Sequence, residues 1–170
     1  MSENEIIKIK KPEGYNCFAC GTANPIGLNL EFNVKGDRVF SEITPGKYHV
    51  GWADITHGGI ISTLLDEVMS WTILYFKRIF FVTRKMELKY IRPVSTGVPL
   101  VVTGSIISGN ESDKIIYVRG ELRDENNTLL ARSKGEFVEI DRESVPPVFE
   151  GSKKEIFSLI DSLPPLQAGS

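Results

Sequence analysis

The chain has 170 residues, 41% hydrophobic and 25% charged, the balance of one ordinary soluble domain that buries roughly two thirds of its unfolded surface. A formal net charge of −2 argues against a nucleic-acid binder dominated by phosphate contacts, while leaving room for a local basic site facing a phosphorylated ligand. No apolar run approaches the roughly 20 residues that cross a bilayer, and the acidic opening lacks the apolar centre of a secretory signal, so a cytoplasmic protein without membrane contact is expected.

Residues 1–14 are polar and lysine-rich and read as an N-terminal arm. The two cysteines follow in Cys17-Phe18-Ala19-Cys20-Gly21. A zinc site usually takes four ligands. There is no second cysteine pair, and His49 and His57 are not spaced as in a zinc finger. A redox pair normally opens a helix, whereas Asn24-Pro25-Ile26-Gly27 reads as a turn. The expectation is reduced, partly buried thiols in a turn or lid, with no metal.

Leu28, Leu30, Phe32 and Val34 alternate, Lys35-Gly36-Asp37 makes a turn, and 38–43 alternates again, which predicts two strands joined tightly. The connection from Pro45 to Thr56 is long and carries His49, Gly51, Trp52 and Asp54; connections of this length tend to be functional. Residues 58–76 form the one long helix: Ile60, Leu64, Val68, Trp71 and Tyr75 make an apolar row that Ile61, Leu65 and Met69 widen. Gly59, Ser62, Thr63 and Ser70 share a narrow small-residue face with Asp66, at 100° per residue.

Four β-rich runs follow, Phe80–Arg92, Val98–Ser108, Lys114–Arg123 and Thr128–Ile140, with turns at Gly97, Gly109–Asp113 and Asp124–Asn127. The folded domain therefore spans 15–141. The tail, 142–170, holds a short helix at 153–162 between two proline pairs. The economical α+β architecture is an antiparallel sheet wrapped around one long central helix, since only this covers the helix's wide apolar surface. Pairing with a second copy would cover the remaining sheet edge and the polar helix face.

The chemistry gathers at His57-Gly58-Gly59 and Asp66-Glu67. Glycines let backbone N–H groups approach a ligand closely, and a helix start offers unpaired N–H groups with positive partial charge. Asp66 lies roughly 13 Å further along the axis than His57, too far to serve the same carbonyl from the same chain. A second copy bringing its own Asp66 to the first copy's glycines resolves the separation. An unpaired charge inside an apolar helix is costly, so Asp66 has either a chemical role or a salt-bridge partner. His57 reads as the residue that orients the helix start rather than as a base, and Glu67, about 100° from Asp66, as a runner-up base on an apolar-adjacent or rim face. Without a Gly-x-Ser-x-Gly elbow, a serine-hydrolase triad is not expected.

Three motifs then carry a family resemblance: Cys17-x-x-Cys20-Gly21-x-x-Asn24-Pro25-x-Gly27-Leu28; His57-Gly58-Gly59 separated by six residues from Asp66-Glu67; and Val82-Thr83 leading to Tyr90-x-Arg92-Pro93-Val94. From Cys17 to Ile140 the chain resembles the PaaI-like group of hotdog-fold acyl-CoA thioesterases. The resemblance implies a hotdog homodimer whose sheets join, often a dimer of dimers, hydrolysing acyl-CoA with no metal and no cofactor beyond the coenzyme A of the substrate. It implies that the Gly58 N–H, helped by Gly59, polarises the thioester carbonyl, that the partner's Asp66 acts as base or nucleophile, and that Thr83 helps hold the attacking water. Gly51 stands where some members carry an asparagine that contacts the thioester or the water. Gly59, Ser62, Gly51, Arg84 and Arg92 are the expected substrate contacts, with Arg84 and Arg92 either neutralising CoA phosphates or simply solvated. The rival readings are a hotdog hydratase or dehydratase and a non-catalytic acyl-CoA-binding module.

Overall fold

The computed structural model describes residues 5–110 and 114–166. In chain order the elements are β1 (Ile7–Lys8), β2 (Asn33–Lys35), β3 (Arg38–Ile43), β4 (Val50–Trp52), β5 (Ile55–Thr56), α1 (Gly58–Lys77), β6 (Phe81–Tyr90), β7 (Leu100–Asn110), β8 (Ile115–Asp124), β9 (Leu129–Glu139) and α2 (Glu150–Ser162). Seven strands form one antiparallel sheet in the order β1-β2-β3-β7-β8-β9-β6, and β4 pairs with β5 separately. The expected order of two strands, one long helix and four strands stands, with α1 against the sheet.

Alternation explains the main strands. Ile116, Val118, Gly120 and Leu122 of β8 are buried and face α1, as are Ala131, Ser133, Gly135 and Phe137 of β9. Glycines make this close approach possible. A Cβ at Gly104 of β7 would lie 2.8 Å from the Val68 carbonyl oxygen, and one at Gly120 would meet Leu65 and Met69 at 3.1 and 3.3 Å. Gly104 and Gly120 are cross-strand partners, so the glycines form a shallow trough under the helix. Above it Leu64, Leu65, Val68, Met69, Trp71, Ile73 and Tyr75 are fully buried. Trp71 also stacks on Phe32 with ring centroids 4.7 Å apart.

Several expectations change at the edges. The arm is not free: Ile7 and Lys8 pair with Val34 and Asn33, and Ile9 is buried in the core. The strand expected from Leu28 joins the sheet only at Asn33. Before that, the Leu28 and Leu30 N–H groups donate to the carbonyls of Phe18 and Ala19, because the cysteine segment folds back against them. The 45–56 connection contains the β4–β5 hairpin, whose alternation is too short to show in sequence. The turn expected at Gly109–Asp113 lies partly outside the described residues. The tail helix begins earlier, at Glu150, and its Leu159 and Ile160, with Leu163 just beyond its end, are buried. There Arg78, in the left-handed conformation at the end of α1, donates to the carbonyls of Ile160 and Pro164.

Candidate functional site

The start of α1 is built by its neighbours. His57 is extended, with φ −60° and ψ 136°, and its Nδ1 accepts the Gly59 N–H at 2.8 Å, capping the helix. The His57 N–H donates to the His49 carbonyl at 2.8 Å, and the Tyr90 hydroxyl donates to the Gly58 carbonyl at 3.0 Å. His49 itself accepts the Gly46 N–H through Nδ1. With Gly59 committed to the His57 ring, the Gly58 N–H is left without an acceptor among the described residues. It faces the region where the helix dipole favours negative charge. Here an open cleft of about 370 Å³ is lined in part by Thr56, Gly58, Tyr90, Arg92 and Val94. The Thr56 hydroxyl beside it is buried with no hydrogen-bond partner among the described residues.

Gly51 belongs to the same construction. A Cβ there would fall 2.9 Å from the His57 Cα and 3.1 Å from its ring. The space a side chain would take at Gly51 is thus filled by the helix cap, His57, itself.

Asp66 occupies a second region. It is half-buried on α1, and the Thr83 hydroxyl donates to its Oδ1 at 3.2 Å. The register of β6 against β9 shifts between Thr83 and Lys85, so Arg84 is the extra residue of a bulge that sets the aim of Thr83. Burial raises the pKa of Asp66, with the Thr83 hydrogen bond pulling the other way. The structure brings Thr83 to Asp66, and Gly58, Gly59, His57 and Gly51 together at the helix start with Arg92 in the adjoining cleft. It does not bring Arg84 or Ser62 to that cleft: Arg84 is exposed on β6 and Ser62 is half-buried on α1.

Glu67 takes the apolar-adjacent of the two faces the sequence left open. It does not sit on the rim but turns inward under the cysteine segment: Trp71 Nε1 donates to its Oε1 at 2.9 Å, and Cys17 Sγ lies 4.0 Å from the same oxygen. The Cys20 N–H points at Cys17 Sγ over 3.5 Å. The Cys20 thiol and the backbone N–H groups of residues 19–21 hold Cys17 down to about 5, whereas the Cys17 partner and burial push Cys20 up. Burial and the nearby Cys17 push Glu67 up to about 7. Among the described residues, Cys17, Cys20 and Glu67 are the group that could hold a metal, since their ligand atoms all lie within 4.8 Å of one another.

Sequence reasoning also missed Tyr90 as the clamp on Gly58 and Thr56 as a cleft residue. Tyr90 stood in a recognised motif, but nothing in its spacing says that its hydroxyl returns to the helix start 32 residues away.

Comparison with known proteins gives a consistent result. Residues 53–131 match the thioesterase superfamily. No curated protein matches the chain in sequence. Among solved structures, a thioesterase superfamily protein is 22% identical with a TM-score of 0.67; the alignment covers 72% of this chain and 60% of that one, so this chain spans less than two thirds of its length. The Escherichia coli PaaI protein from the phenylacetic acid degradation operon is 15% identical with a TM-score of 0.62, covering 67% of this chain and 81% of PaaI. A Streptococcus mutans protein solved bound to acetyl CoA is 16% identical with a TM-score of 0.56, covering 61% and 82%. The fold is the hotdog fold that these proteins share. No helix among the described residues is long and apolar enough to cross a membrane.

Proposed function

We propose that this chain, whose residues 53–131 match the thioesterase superfamily, hydrolyses an acyl-CoA thioester to a free acid and CoA at a site shared by two copies. The observation that carries the reading is the division of the chemistry within one chain. An unpaired N–H donor sits at Gly58, and a carboxylate with a hydroxyl partner sits two turns away at Asp66, roughly 12 Å along the axis.

Strand β6 offers the way to join the halves. It is an edge strand, with Thr83 near its start beside Asp66 and Tyr90 at its end beside Gly58. An unpaired edge of ten residues invites another strand. Antiparallel pairing of β6 with its own copy, centred near residues 86 and 87, sets Thr83 of one chain opposite Tyr90 of the other. The Asp66 of each copy then approaches the Gly58 N–H of its partner. Tyr48 and Trp52, 86% and 83% exposed near the helix start in one chain, are further surface for such a contact.

In this arrangement the thioester carbonyl oxygen points at the Gly58 N–H. Asp66, as general base, takes a proton from a water held with the help of Thr83, and the water oxygen bonds to the carbonyl carbon. The developing oxyanion rests on the Gly58 N–H; when the C–S bond breaks, CoA leaves as a thiolate and takes up a proton. Raising a carboxylate's pKa makes it a better base near neutrality, the direction in which burial moves Asp66. Arg92, in the cleft beside Gly58, is placed to meet a CoA phosphate. The acetyl CoA bound by the Streptococcus mutans protein supports the ligand class.

The test is thiol release from a panel of acetyl-, hexanoyl-, lauroyl-, phenylacetyl- and benzoyl-CoA, wild type beside Asp66→Ala. Release that Asp66→Ala abolishes in a folded protein supports the reading and ranks the acyl groups. Saturable binding without release moves the chain to the binding-module reading.

A further inference from the structure

The proposed thioester chemistry leaves the cysteine segment unexplained. We propose that Cys17, Cys20 and Glu67 are the protein ligands of a thiophilic divalent cation, zinc by the chemistry of the donors, which pins the 15–27 segment to α1. Two cysteines alone do not make a site. The fold adds the third ligand by laying Cys17-Phe18-Ala19-Cys20-Gly21 over the one face of α1 that carries a second carboxylate.

The geometry is close to what the ion requires. Zinc bonds sulfur at about 2.3 Å and carboxylate oxygen at about 2.1 Å, so tetrahedral ligands stand roughly 3.5–3.8 Å apart. Cys17 Sγ and Glu67 Oε1 are 4.0 Å apart, and no pair among the three exceeds 4.8 Å. Contraction of up to about 1 Å closes the site. The surroundings are those of a metal-binding turn. The Cys20 N–H already points at Cys17 Sγ, and the Cys17 carbonyl accepts the Gly21 N–H at 2.9 Å. A Cβ at Gly21 would lie 2.6 Å from the Cys17 backbone nitrogen, so the turn needs glycine after the second cysteine.

The next layer is also in place. Trp71 Nε1 donates to the Glu67 oxygen that faces Cys17 and so fixes the carboxylate's aim, and Tyr15 and Lys11 donate to the Cys20 carbonyl at 2.7 and 2.9 Å. Charge balances as well. Two thiolates and a carboxylate bring three negative charges, the cation two positive, and the part-buried Lys11 ammonium the third. Three protein ligands leave one tetrahedral position to water on the half-buried Cys17 side.

The site lies outside the Gly58 and Asp66 machinery, and its test does not depend on thioesterase activity. The full chain, reduced and loaded with zinc chloride, is dialysed and its metal measured by elemental analysis. One zinc per chain is expected, with none retained by Cys20→Ser. Cobalt(II) in place of zinc is expected to give thiolate-to-cobalt charge-transfer absorption, and Glu67→Gln to weaken cobalt binding roughly tenfold or more. Glu125→Gln, in the exposed turn between β8 and β9, leaves it unchanged. A wild-type protein that retains no zinc and gives no thiolate–cobalt band overturns the proposal, as does equal retention by Cys20→Ser. So does a native Cys17–Cys20 disulfide found by thiol titration.

Discussion

Gly58→Pro isolates one hydrogen-bond donor. Gly58 is the first helical residue, where proline is well tolerated because its missing N–H has no partner within the helix. The preceding residue must be extended, and His57, at φ −60° and ψ 136°, already is. The added Cβ would meet the Tyr90 hydroxyl oxygen at 3.2 Å, the movable end of a long side chain. At worst the Tyr90 hydrogen bond to the Gly58 carbonyl is lost, about 1 kcal/mol, which lowers Tm by about 2–4 °C. The N–H, if it carries the oxyanion, contributes about 3 kcal/mol in the transition state, so kcat should fall a hundredfold or more. Thiol release and a thermal melt on the same preparation separate the two effects. A folded Gly58→Pro with wild-type kcat would refute the assignment of the oxyanion donor.

The same helix start supports three further predictions. His57→Ala should lose the cap on Gly59 and about 1 kcal/mol, while His57→Asn, which can also accept that N–H, restores both the melt and most of the turnover; an Asn variant that melts normally but is inactive would make His57 a reacting group. Gly51→Asn should not improve catalysis but cost about 1–3 kcal/mol through contact with the His57 backbone, read as a lower Tm; an unchanged Tm with raised kcat contradicts this. Thr56→Val should leave stability unchanged or raise it slightly, since its buried hydroxyl has no hydrogen-bond partner among the described residues; a Tm loss of several degrees would reveal a partner for it.

How much of this was legible in the sequence follows from range. Alternation over ten or so residues is visible locally, so β6 to β9 and α1 were read almost to their ends, and the helix's apolar row is the buried row. The His-Gly-Gly to Asp spacing exposed the two halves of the site because helical rise is regular. Short elements were invisible: β1 and the β4–β5 hairpin are two- and three-residue ladders defined by their partners. The trough made by Gly104, Gly120 and Gly135 was equally hidden, since each glycine looks like an ordinary strand residue until the sheet aligns them under α1. Glu67 shows the limit most clearly. Its angle from Asp66 was correct, but which face of a helix is rim depends on what covers it, and that cover is the cysteine segment 50 residues earlier.

The shared site is tested most directly by mixing two inactive chains. Asp66→Ala and Gly58→Pro, unfolded together in equal amounts and refolded, should pair at random. Half the dimers are then mixed, and each mixed dimer holds one site with both groups intact and one with neither, so about one quarter of wild-type thiol release should return. Wild-type-like assembly of the mixture with no recovered activity would contradict a site divided between two copies of this chain.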